Sequence, residues 1–387
     1  MSVAVNSVPP RVARWALGWI TLVAFLDTFA IVPLLAPYAE DTLGASRHQA
    51  GLIIALYSLA NLVGNFGSGV LIDRYGRRMP MVLSLLIASV LIALYSLARS
   101  PETMMVLRVL HGLSGAVFVP AMFAMVADYG GQRRAQAMGT AGALIGLVAL
   151  LAPVLSGILA KYYGMSVVFW GVAGLMALAG LVGFTLQERY AHPRYEAPIH
   201  PMEVLRLPTP MAMFLLTLGM TFAMGVLTFS LPTRLSEAGF DPAYRGRMFG
   251  MFALVAVLTM SLVRGRHALG GGGNRSLVGI GLLIVGVLGL DWFPIPSGTW
   301  FSVLMYGLGF GLTFPAVHLV AYEGAPLHLR GTALAVLHAF YSLGYTLGPA
   351  SAGVVDAFAG TVGAGLALLL LVLAFHLLRC GREQVVD

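Results

Sequence analysis

The chain has 387 residues, 58% of them hydrophobic and only 10% charged, with 47 glycines, 20 prolines and a mean hydropathy of +0.86. This composition excludes a water-soluble globular domain and points to a polytopic membrane protein. The net charge of +7 would suit a nucleic-acid binder, but in a membrane chain the placement of Lys and Arg matters more than their sum, and the single cysteine, Cys380, excludes an internal disulfide and a cysteine-based metal cluster.

Twelve apolar runs of membrane-crossing length follow one another, at 15–38, 46–69, 79–98, 103–127, 136–160, 165–186, 209–233, 244–263, 276–293, 299–321, 331–355 and 359–379, leaving no stretch for a soluble domain. The first follows Arg11 and Arg14. Its apolar part is longer than a signal-peptide core and no small-residue cleavage site follows it, so it reads as a retained span. Asp27, in ITLVAFLDTFAIVPLLAP, lies near its middle. A bare carboxylate costs about 2.5–3.5 kcal/mol at that depth, so Asp27 must face a cavity or a partner.

The second and third spans are joined by GVLIDRYGRR, residues 69–78, four formal charges in one short turn. Gly69 and Gly76 allow close backbone approach and a tight turn, and Arg74, Arg77 and Arg78 suit a cytoplasmic loop. Gly69, Leu71, Asp73, Arg74, Gly76, Arg77 and Arg78 match the G-x-L-x-D-R-x-G-R-[RK] signature of the major facilitator superfamily, which the chain resembles over essentially its whole length. The resemblance implies a secondary transporter working by alternating access, with this loop as its cytoplasmic gate. Asp73 would pair with Arg77 and face the positive end of a helix beginning near Arg330, a contact present in one of two alternating states. The alternative is a solvated, topogenic loop.

In the fourth span, Arg108 and Gly112 of LRVLHGLSGA resemble the family's R-x-x-x-G motif. Counting rise per residue puts Arg108 within about 7 Å of Asp27 in depth. Burial and a nearby cation act oppositely on an aspartate, so movement of Arg108 would switch Asp27 between holding and releasing a proton; the alternative is a static buried pair. In the fifth span, Gly139, Ala152, Pro153, Ser156 and Gly157 approximate the family's antiporter pattern, with Val148, Ala152 and Ser156 departing from its glycines. Proline and small residues there make a kinkable, closely packed helix.

The polar segment QERYAHPRYEAPIHPMEVLRLPTP, residues 187–210, divides the spans six and six. HGLSGAVFVPA (111–121) falls on YGLGFGLTFPA (306–316), and IGLVALLAPVLSG (145–157) on YSLGYTLGPASAG (341–353), which brings Gly348 and Pro349 into the packing motif of the second half. The expected organisation is a six-helix bundle over 1–186, a cytoplasmic linker over 187–208 and a second bundle over 209–387, two parallel repeats with a cavity between them. The counterpart of the charged loop, near SLVRGRHALGGGGNRS (261–276), lacks a carboxylate.

Within the second half His318 and His338 either titrate or contact substrate, or sit hydrogen-bonded in a helix interior. Without a third ligand at recognisable spacing they suggest no metal. Tyr57, Phe222, Phe229 and Tyr341 are candidates for an apolar cavity wall, or pack as ordinary core aromatics. If the amino terminus is cytoplasmic, inside segments carry 16 of the 23 Lys and Arg and outside segments 6, which places both termini inside and accounts for the basic charge without nucleic acid.

The sequence therefore predicts an all-α membrane protein with the major facilitator fold, in the plasma or inner membrane of a prokaryote. No phosphate-binding loop, nucleophile elbow or zinc spacing points to an enzyme or a cofactor. By resemblance to the proton-coupled drug exporters of the family, the expected activity is efflux of a small organic or amphipathic solute by a monomer in exchange for protons. Asp27 would be the proton site, Arg108 its modulator and Asp73 the gate. The rival readings are a proton symporter or facilitator importing a nutrient, and a non-transporting membrane sensor.

Overall fold

In a computed structural model, residues 10–130, 134–188, 201–263, 272–326, 329–355 and 358–383 are described, and all regular structure among them is helical. The helices are α1 Pro10–Val23, α2 Leu26–Leu43, α3 Arg47–Tyr75, α4 Arg78–Tyr95, α5 Pro101–Gly130, α6 Arg134–Tyr163, α7 Met165–Gly183, α8 Pro201–Leu205, α9 Pro208–Glu237, α10 Pro242–Val263, α11 Gly272–Trp292, α12 Ser297–Glu323, α13 Arg330–Val355 and α14 Ala359–Glu383. Taking α1 and α2 as one interrupted span and setting aside the short α8, twelve helical spans result.

Two features depart from the expected elements: the first span is interrupted, and the segment expected to be a linker carries the short helix α8. Phe25, with φ −115° and ψ 0°, separates α1 from α2, and the N–H of Phe29 returns to its carbonyl at 3.2 Å to start the new helix. Elsewhere local chemistry sets the ends. Gly44, in the left-handed region at φ 67°, closes α2, and Ser46 with Gln49 forms a capping box that opens α3. Pro33, Pro37, Pro120, Pro153, Pro232, Pro315 and Pro349 lie inside helices without ending them, as transmembrane helices allow.

Outside and inside are sorted as lipid demands. α4 exposes Leu83, Ile87, Val90 and Leu94 along one stripe and buries Met81, Leu85, Ala88, Ile92 and Tyr95 along the other. Between helices, contacts are made by glycine. A Cβ on Gly112 of α5 would stand 2.9 Å from Ala60 Cβ on α3, and one on Gly307 of α12 2.9 Å from Val255 Cβ on α10. The two contacts are repeat mates.

The halves meet along two seams related in the same way. On one, Gly51 of α3 abuts Pro349 and Gly353 of α13; on the other, Gly246 of α10 abuts Pro153 and Gly157 of α6. The proline motifs of the fifth and eleventh spans thus pack across the interface between halves. Ion pairs cross it at the end away from the termini, where Arg47 meets Glu237 and Lys161 Nζ lies 2.9 Å from Asp241 Oδ2. At the opposite end Arg77 meets Asp128, Arg78 Nη2 donates to the Phe184 carbonyl at 2.7 Å, and the Glu188 carboxylate accepts from the N–H groups of Arg77 and Arg78 at 2.7 and 2.8 Å. All of these join helices of the first half.

Candidate functional site

Four helices bring buried polar groups to one place in the first half. Asp27 stands in the first turn of α2, directly after the break, where the start of a helix favours negative charge. It is 3% exposed. Its Oδ2 lies 3.2 Å from Nε2 of His111 on α5, a fully buried histidine, close enough for an ion pair although off the line of a well-formed hydrogen bond. Thr28 Oγ1 approaches Oδ1 at 3.3 Å.

Arg108, also 3% exposed, stands one helical turn before His111 on the same face of α5. Its Nε donates to the Ile53 carbonyl at 3.0 Å and its Nη2 to the Ile54 carbonyl at 3.4 Å, both on α3, and its guanidinium lies 4.6 Å from the centre of the Tyr57 ring. No ion pair joins Arg108 to Asp27 among the described residues. The arginine turns to the α3 backbone, and His111 faces the carboxylate.

Tyr95 of α4 links the two cationic side chains. Its hydroxyl lies 2.8 Å from His111 Nδ1 and 3.5 Å from Arg108 Nη1. Arginine can only donate, so the tyrosine oxygen accepts from it; the Asp27 carboxylate, which can only accept, faces Nε2 and favours the tautomer with its proton there, which leaves Nδ1 to accept from the tyrosine O–H. The ring proton of a neutral His111 therefore sits on Nε2, facing Asp27. Tyr57 closes the group edge-on to His111, with ring centres 5.0 Å apart. Gly112 and Gly115 make room for it, since a Cβ at Gly115 would stand 2.6 Å from the Tyr57 hydroxyl.

A second cluster lies on α12 and α13. His318 and His338 have ring centres 5.4 Å apart, with Phe314 4.4 Å from His318 and Tyr341 6.4 Å from His338. His318 Nδ1 donates to the Phe314 carbonyl at 2.7 Å, while His338 is exposed. Phe222 and Phe229, grouped with these by the sequence, are buried within the packing of α9, and Gly348 sits against the Phe222 and Gly225 backbone. The structure thus gathers His318, His338 and Tyr341, puts Tyr57 with the Asp27 group, and buries Phe222 and Phe229 where α9 packs on its neighbours.

Of the charged loop, Gly76, Arg77 and Arg78 are described, and the side chains of Asp73 and Arg74, like Gly69 and Gly139, lie outside the described residues. Gly76 has φ 82°, a left-handed value that justifies the glycine, and Glu188 fills the space beside it. The sequence reading singled out neither His111 nor Glu188. His111 carried a signal, since a histidine three residues after a buried arginine shares its helix face; Glu188 carried none, being separated from its partners by the whole of four spans.

Comparison with known proteins agrees with this architecture. The Major Facilitator Superfamily profile matches residues 17–349. Multidrug resistance protein MdtG of Citrobacter koseri is 28% identical over 379 residues, 92% of each chain, and that of Serratia proteamaculans 26% identical over 374 residues, 91% of this chain and 90% of the relative. Among solved structures, a bacterial homologue of the human lysosomal transporter Spinster, inward-facing and unoccupied, superposes with TM-score 0.72 at 20% identity over 97% of this chain and 94% of its own. The nucleoside transporter NupG superposes with TM-score 0.73 at 15% identity, over 95% and 98%. At these identities the structures establish the shared fold alone.

Proposed function

The chain belongs to the Major Facilitator Superfamily of membrane transporters, and from that premise we propose that it exports a small organic or amphipathic solute in exchange for protons by alternating access. The observation that carries the reading is Asp27, a carboxylate buried at membrane depth beside an ionisable ring. Such a group is costly to keep there unless it is used. The relatives named multidrug resistance proteins support export over import.

In this reading Asp27 is the main proton site and Arg108 its modulator. The loop of Gly69, Asp73, Arg74, Gly76, Arg77 and Arg78 is the cytoplasmic gate, and the bundles before and after residues 187–208 are the rocking halves. With both termini cytoplasmic, as the arginine distribution indicates, the seams close the outer side and the described state faces inward. Neutral or cationic cargo is favoured, because Arg108, buried beside Asp27's partner His111, is occupied by the α3 backbone rather than held ready for an anionic solute. His318, His338 and Tyr341 offer aromatic faces for a planar or cationic group. The protein acts as a monomer in the inner membrane.

Proteoliposomes test the direction. An acid interior drives tetraphenylphosphonium inward if protons leave as the cation enters; accumulation driven instead by an acid exterior makes the protein a symporter and overturns the proposal.

A further inference from the structure

We infer that the coupling proton is held by the Asp27–His111 pair rather than by Asp27 alone, and that Tyr95 passes the change of protonation to Arg108 and so to the seam between the halves. The inference rests on the proton-coupled reading above and names a further group within that site.

The internal repeat supplies the first argument. His111 corresponds to Tyr306, six spans later in the second half. Tyr306 is likewise fully buried, and its hydroxyl donates to the Met220 carbonyl on α9 at 2.6 Å. Each half therefore ties its fourth helix to its first through the same position. The second half does so with an uncharged hydroxyl and a backbone carbonyl. The first half uses an ionisable ring against a carboxylate, which a tie between helices does not need and which is the more costly arrangement at depth.

Proton placement supplies the second. In the described arrangement each hydrogen has one home: Arg108 donates to Tyr95, Tyr95 donates to Nδ1, and Nε2–H faces Asp27. A proton arriving from water adds one positive charge to the pair, whether it resides on the carboxylate or on the ring, and the titration belongs to the two together. On the ring it converts Nδ1 to a donor. Tyr95 then receives from both His111 and Arg108 and its own O–H must turn away. The longer of its two contacts, 3.5 Å to Arg108, is the one to yield. On release the same proton returns to water and the chain of donors is restored.

The third is where Arg108 leads. The carbonyls it holds, those of Ile53 and Ile54, lie within one turn of Gly51, the residue of α3 that abuts Pro349 across the seam. Loosening Arg108 frees the outer half of α3 at the point where it seals against α13. Among the described residues, the titratable or charged groups facing His111 belong to this account: Asp27 on α2, Tyr57 on α3, Tyr95 on α4 and Arg108 on its own helix.

The test uses the full chain in proteoliposomes with tetraphenylphosphonium as probe. His111→Gln keeps an N–H toward Asp27 but has no ring to protonate. It is expected to retain cation binding and cation-for-cation exchange while losing accumulation driven by a pH gradient by roughly tenfold or more. Tyr95→Phe, which leaves both ionisable groups in place, is expected to move the pH at half-maximal exchange. Wild-type gradient-driven accumulation in His111→Gln, or one exchange pH profile shared by wild type and both variants, overturns the inference even if Asp27→Asn abolishes coupling. If wild type exchanges the cation but a pH gradient never drives it, the proton-coupled reading itself falls and takes this one with it.

Discussion

Gly51 on α3 lies against Pro349 on α13, so closely that a Cβ on the glycine would stand 3.3 Å from the proline carbonyl carbon. The repeat mate of this contact, Gly246 against Pro153, is tighter still, at 2.9 Å. Both glycines face backbone rather than a flexible side chain, so neither neighbour can step aside. Replacing either by valine overpacks the seam, which costs about 1–3 kcal/mol in closely packed interiors. The expected outcome is a shift of about tenfold or more toward the state open at the end away from the termini, read by spin-label distances between the α2–α3 and α9–α10 loops. Unchanged distances in both variants would show that the seam is not what holds that end shut.

Across the same end Lys161 pairs with Asp241. Its hydrogen bond, with help from the Tyr244 N–H, holds the Asp241 carboxyl below its ordinary value. A group with a depressed value stabilises the state in which it is depressed at every pH above the ordinary carboxylate range, and the stabilisation is lost as pH falls through the depressed value. The pair therefore contributes fully from about pH 5 up to the alkaline range in which Lys161 loses its proton, and fades at the acid side only below about pH 4. Both side chains are more than a third exposed, so the contribution is small. Asp241→Asn is expected to change the loop distances by no more than roughly a fivefold shift in population, equally at pH 6 and pH 8. A steep change between those two values would assign the pH response of the seam to another group.

Arg108→Lys keeps the charge but not the fork. A single ammonium cannot reach the Ile53 and Ile54 carbonyls and Tyr95 while covering the Tyr57 ring. We expect the variant to lose thermal stability by about 1–3 kcal/mol, the cost of leaving buried acceptors unsatisfied, and to transport at least roughly tenfold more slowly. Transport at the wild-type rate would mean that charge alone suffices there.

Glu188 caps the start of α4 by accepting two backbone N–H groups. Glu188→Ala is expected to cost about 1 kcal/mol, as loss of a helix cap does, seen as a lower melting temperature in detergent with cation binding intact. No change in melting temperature would show that water replaces the carboxylate without loss.

Much of this was legible in the sequence for reasons the structure makes plain. Length and hydropathy set the spans because a lipid-facing helix has no alternative fold. The repeat was legible because glycines such as Gly112 and Gly307 do the same packing in each half. The same register carries Gly51 onto Gly246, so the paired seams were latent in it. The break before Asp27 was not, since it falls at Ala24 and Phe25 while Pro33 and Pro37 continue the helix. Nor was the partner of Asp27. The direction of the Arg108 side chain is decided by the carbonyls of α3, and a rise per residue does not contain that information.

The most direct test of the account is the movement of protons through Asp27. Purified protein in proteoliposomes with an internal pH dye is given tetraphenylphosphonium, and wild type is compared with Asp27→Asn. The account predicts that cation entry alkalinises the wild-type interior and leaves the pH inside the variant liposomes unchanged. A pH change in Asp27→Asn equal to that of wild type would contradict it, making Asp27 a structural residue and moving the coupling elsewhere.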